Sequence, residues 1–158
     1  MARGFSLIEL MLVVAITGIV AAIAVPSVSQ TVKKERARSE LMKVVGAVEQ
    51  ARNRARISVC ETRLSVDVAT GTLTIAPNPA DPDVPCRALP TKSVVFETKL
   101  ITLSAFSIAG APTNPLIFSN EGGLASPTAR ARMTLLPAVG APRTIEIWPA
   151  SGTVRLLR

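Results

Sequence analysis

Residues 1–28 read MARGFSLIELMLVVAITGIVAAIAVPSV, and the one acid in that stretch decides how the rest is read. From Phe5 to Val25 run 21 residues in which Glu9 is the only charge; Arg3 is the only charge before them, and Gly4 stands at the junction. The length suits a helix crossing the ~30 Å of bilayer hydrocarbon. Three readings compete. One is a plain single-pass anchor. Another is a secretory signal peptide, with Arg3 as its basic region and Ala22-Ile23-Ala24 as an A-x-A cleavage site. Neither uses Glu9, whose carboxylate would cost on the order of 2.5–3.5 kcal/mol at the centre of a membrane helix and less towards its end. In the third, a peptidase cuts after Gly4, and the new amine of Phe5 stands one helical turn from Glu9, at i, i+4. Subunits staggered by about a turn then pair the carboxylate of one with the amine of the next. A register error leaves both charges unpaired, so specificity comes from a penalty.

Gly4-Phe5-Ser6-Leu7-Ile8-Glu9, behind a short basic leader and ahead of an apolar helix, resembles the class III signal of type IV pilins and type II secretion pseudopilins. Ser6 stands where that family more often has Thr. The resemblance implies cleavage after Gly4 by prepilin peptidase, N-methylation of Phe5, and Glu9 as the acid that docks the subunit into a growing filament. It implies as partners the inner membrane, prepilin peptidase, and other major and minor pilins or pseudopilins. The expected location is a single-pass inner-membrane protein with a periplasmic C-terminal domain, and afterwards an extracellular pilus or a periplasmic pseudopilus.

Past Pro26, which removes a helical hydrogen bond and is expected to bend the axis, the helical period resumes. Ala37, Leu41, Val44, Val48, Ala51 and Ala55 recur at three- and four-residue steps, with Val45 broadening the stripe. Lys33, Lys34, Arg36 and Arg38 follow directly on the apolar run, on the side that the positive-inside preference disfavours. The expected organisation is a leader at 1–4, a transmembrane or filament-core helix at 5–28, its amphipathic half at 29–58, and an antiparallel β domain at 59–158.

In that last part the period changes to two. Arg63–Val68 and Thr72–Ile75 alternate around Ala69-Thr70-Gly71 and read as a hairpin. Further strands are expected at Ser93–Glu97, Leu100–Leu103, Leu116–Ser119, Arg130–Leu136, Thr144–Trp148 and Thr153–Leu157. Residues 76–90, APNPADPDVPCRALP, hold five prolines and read as an exposed loop with no helix in it. Cys86 lies in this loop and Cys60 at the end of the helix. In a reducing compartment they would be two small buried residues. In an oxidising one they would form a disulfide that clips the loop to the first strand, contributing on the order of 3–4 kcal/mol by loop entropy. Asp81 and Asp83 are too few carboxylates to argue a calcium site. The fold class expected is α+β: one long helix, membrane-embedded at one end and packed at the other on an antiparallel sheet.

Ile117-Phe118-Ser119-Asn120-Glu121-Gly122, then Ile145-Glu146-Ile147 and Ser151-Gly152-Thr153-Val154-Arg155, are similar to the C-terminal half of the GspH/FimT family of minor pilins and H-type minor pseudopilins. That family usually has a basic residue where Thr153 stands. The resemblance implies a minor pilin of a type IV pilus placed in a tip or priming complex, or an H-like pseudopilin of a type II secretion system. Some members bind DNA at the tip. Arg130, Arg132, Arg143, Arg155 and Arg158 face only Glu121 and Glu146 in the last forty residues or so. They form a candidate DNA or anion patch, with no aromatic expected among them to stack bases.

The 158 residues make about one domain, with Lys and Arg outnumbering Asp and Glu by 18 to 11. Histidine is absent, and with it the commonest acid–base and zinc-ligating side chain, which weighs against an enzyme. No phosphate loop, nucleophile elbow, metal cluster or cofactor motif appears in the sequence.

Overall fold

The computed structural model describes residues 6–81, 84–104, 106–108 and 110–157; of these, the side chains of 23–27, 84 and 111 are outside the description. Helix α1, Leu7–Ser58, is 52 residues long and continues through Pro26 without a break in its assignment. The expected stripe is its buried face. Ala37 and Leu41 are buried, and Val44, Val48, Ala51 and Ala55 have no exposed surface; Ala47 joins them. Each fully buried valine contributes about 1.5–3 kcal/mol. Glu40 is also on this face. It is buried, with Oε1 accepting from Lys43 Nζ at 2.6 Å and Oε2 from the backbone N–H of Glu97 at 3.2 Å. Val59 ends the helix in the left-handed region, at φ 56°, a strained place for a β-branched residue.

The β domain forms two antiparallel sheets. In the first, β1 (Thr62–Asp67), β2 (Thr72–Pro77), β3 (Lys92–Val95), β7 (Leu116–Phe118) and β8 (Leu124–Ser126) run in the order β3-β2-β1-β7-β8. In the second, β11 (Val154–Leu157), β10 (Arg143–Ile147), β9 (Ala131–Pro137), β5 (Ser107–Ile108) and β6 (Ala111–Pro112) follow one another, and β4 (Ile101–Leu103) also pairs with β9. The β1–β2 hairpin has the expected register, Val66 opposite Leu73 and Asp67 opposite Thr72. Where β7 stops pairing, at Leu64, the Asn114 amide takes over: it donates to Val66 C=O at 2.9 Å and accepts from Val66 N–H at 3.2 Å. α1 packs on both sheets, touching β1, β2 and β7 of the first and β4, β9 and β11 of the second. One core results, filled from the sheets by Leu64, Leu73, Ile75, Phe118 and Met133 and from the β4–β5 connection by Phe106.

The loop after β2 corrects one expectation. It contains a four-residue helix, α2 (Val84–Arg87). Proline is tolerated in a first helical turn, where its missing N–H has no partner to lose, so a proline-rich segment can still close one turn. Nor is the loop wholly exposed: Asn78 and Asp81 are buried.

Candidate functional site

Glu9, the assembly residue expected from sequence, lies at the start of α1. Ser6 is the N-cap, and its carbonyl accepts from the N–H groups of Glu9 at 3.0 Å and Leu10 at 3.2 Å. Glu9 therefore occupies the first helical turn, where the helix dipole favours an anion. Gly4 and Phe5 lie outside the described residues, as do Asp83 and Arg158. Around Glu9 nothing among the described residues covers the helix: Leu7, Ile8, Leu10, Leu12, Val13 and Ile16 are between 53% and 77% exposed. Among the described residues no helix is long and apolar enough to cross a membrane. The apolar run Phe5–Val25 is described with its side chains only from Ser6 to Ala22.

At the other end of α1, Cys60 and Cys86 form a disulfide, with 5.5 Å between their Cα atoms. Polar contacts hold the same loop in place. Asp81 Oδ2 accepts from Glu61 N–H at 2.8 Å, Arg87 Nε donates to Asp81 C=O at 2.7 Å, and Arg54 donates to Pro90 C=O. Among the described residues no group of three or more potential metal ligands comes together.

Of the three C-terminal segments that carry the family resemblance, the first and the last meet in space. Leu124 N–H donates to Pro149 C=O at 2.7 Å, and the turns at Gly122 and Gly152 lie in contact. Both glycines have positive φ, +90° and +62°. A Cβ on Gly152 would collide with the Gly122 carbonyl, and one on Gly122 with the Arg56 stem. Glycine here permits both the turn and the close approach.

The four candidate arginines among the described residues, Arg130, Arg132, Arg143 and Arg155, do not share one face of the sheet. Arg132 and Glu146 are directly opposed on β9 and β10, and Arg155 is opposed to Glu146 from β11. The Glu146 carboxylate, buried at the centre, pairs with Arg132 at 3.0 Å and Arg130 at 3.3 Å. Burial would raise its pKa, but the hydrogen bond from Arg132 and the charge of Arg130 outweigh it and hold the carboxyl below its ordinary value. The Arg130 guanidinium also lies 3.8 Å from the centre of the Trp148 ring, so an aromatic does sit among the arginines. Arg143 belongs to the opposite face of the sheet, in the row of Ile145 and Ile147.

A model of the prokaryotic N-terminal methylation motif matches residues 1–25. The type IV minor pilin FimU of Pseudomonas aeruginosa superposes with a TM-score of 0.61 at 17% identity, over 79% of this chain and 90% of FimU. The fold is that of the minor pilins. The minor pseudopilin EpsH from the type II secretion system of Vibrio cholerae superposes with a TM-score of 0.53 at 17% identity, over 80% of this chain and 97% of EpsH. No curated protein sequence matches the chain significantly. Motif and fold agree with the resemblance drawn from Gly4–Glu9 and from the C-terminal segments.

Proposed function

We propose that this chain is a minor pilin of a type IV pilus. It is cleaved after Gly4 by prepilin peptidase, N-methylated on Phe5, and held in the inner membrane by residues 5–28 with its β domain in the periplasm. It then enters the filament or its tip complex, where it helps to initiate assembly. One observation carries the reading: an apolar half-helix that no other described residue covers, with a single carboxylate in its first turn. Such a surface needs a cover, and bilayer followed by neighbouring subunits supplies it. The methylation motif at residues 1–25 supports the processing step that gives Glu9 a charged partner. The oxidised Cys60–Cys86 pair suits a periplasmic or extracellular domain.

The test is Glu9→Ala in the full-length protein, followed in membranes and in sheared filaments. The variant should insert and form its disulfide as the wild type does, yet be lost from the filament fraction. Incorporation at wild-type levels would refute the role of Glu9. The same chemistry serves an H-like pseudopilin of a type II secretion system, a second reading favoured by the superposition on EpsH. Deletion separates the two, through loss of pili in one case and loss of protein secretion in the other.

A further inference from the structure

Arg143, the arginine set apart from the rest, lines a groove of about 580 Å³ between α1 and the β9–β10 turn. Lys34, Arg38 and Met42, four residues apart along α1, supply the facing wall. Of the groove's charged residues, Lys34, Arg38 and Arg143 are cationic and Glu35 is anionic, which leaves an excess of two positive charges. Among the described residues, none of these three cations is held in an ion pair. Between them the surface is apolar: Met42 and Leu156 remain 59% and 41% exposed, with Val139 beside them. An apolar floor inside a cationic rim is the anatomy of a docking site for a segment of complementary charge.

We propose that this groove receives an acidic, partly apolar segment of a neighbouring filament subunit. Its carboxylates face Lys34, Arg38 and Arg143, and an apolar side chain lies on Met42 and Leu156. The inference rests on the filament reading, and it names the surface through which a neighbour engages the β domain. It also gives a use to basic residues just beyond the apolar run, on the side where the positive-inside preference disfavours them. A neutral or basic segment would leave the rim charges unmatched, and a bare polyanion would leave the apolar floor uncovered.

The experiment places a photocrosslinking p-benzoylphenylalanine at Met42 of the full-length protein and irradiates cells. Adducts in sheared filaments are then identified by mass spectrometry. The expected adduct is a pilin-type subunit joined through a peptide rich in Asp or Glu. Its yield should fall about tenfold in Arg38→Glu/Arg143→Glu, as two exposed ion pairs turn into repulsions. Reversing the charge of the crosslinked acids should restore it. Arg38→Glu alone, on the exposed side of α1, should give a smaller fall without touching the sheet. An adduct with lipid only, one through a peptide without acids, or one indifferent to charge reversal would overturn the proposal. So would the absence of any Met42 adduct while the protein is present in filaments. If the protein itself is missing from that fraction, the filament reading fails and takes this inference with it.

Discussion

Breaking the Cys60–Cys86 bond should destabilise the β domain by about 3.5 kcal/mol, because the bond closes a loop whose ends are 26 residues apart. The figure comes from the unfolded chain, which without the bond gains the freedom of an open loop. The folded state should change little. Arg54 still holds Pro90, Asp81 still accepts from Glu61, and Arg87 still donates to Asp81. The perturbation is Cys60→Ala/Cys86→Ala, compared with wild type in detergent micelles under oxidising and reducing conditions. Trp148, the single tryptophan, lies directly after β10 with Arg130 over its ring, and it reports unfolding by its fluorescence. With a urea slope near 1.5 kcal/mol/M, the midpoint should drop by about 2 M. For a domain of about 100 residues the melting temperature should fall by about 15–25 °C. Reduction of the wild type should reproduce the variant, and reductant should leave the variant unmoved. Equal midpoints for oxidised, reduced and substituted protein would refute the reasoning, because they would mean that the unfolded chain gains nothing from opening the loop.

Two further changes probe the second sheet. The folded pKa of Glu146 lies below its ordinary value of about 4.3, so its pairing stabilises fully above that pH and is lost as pH falls towards the folded pKa. Urea midpoints followed from pH 6 downwards should therefore decline less steeply in Glu146→Gln than in the wild type; parallel acid limbs would contradict this. Gly152→Ala should cost about 2–3 kcal/mol, since it adds strain at φ +62° to a collision with the Gly122 carbonyl, and the same fluorescence melts will read it.

What the sequence disclosed depended on how local the cause was. The α1 stripe is set by spacing within one helix: Ala37, Leu41, Val44, Val48, Ala51 and Ala55 are all buried, and Val45, expected to broaden the stripe, is partly buried against the core. Glu40 stands three residues after Ala37 and four before Val44, so its burial was written in the same spacing and passed over because it is charged. Strands of four or more residues showed their alternation. The three-residue β4 and β7 lie within the segments expected at 100–103 and 116–119, but β5 and β6, of two residues, are too short for a period, and β8 has only Leu124-Ala125-Ser126 to show one. The helical turn at Val84–Arg87 was hidden by prolines that forbid a helix interior but not its start.

The arginines divide along the same line. Arg143 shares its face with Ile145 and Ile147, a fact of alternation available from the sequence. The convergence of Arg130, Arg132 and Arg155 on Glu146 needs the β9–β10–β11 register, which no local pattern supplies. The end of α1 showed in the change of period after Ser58, but its cap carried no signal of its own. A left-handed cap is usually glycine, and here it is Val59.

The measurement that tests the assembly mechanism most directly is the mass of the mature N-terminus of the full-length protein. A chain beginning at N-methylated Phe5 is the predicted result, for it creates the amine that Glu9 is there to meet. A chain beginning at Met1 or Ala2, or at Val25 after a signal-peptide cut, would contradict it and leave the carboxylate without its partner.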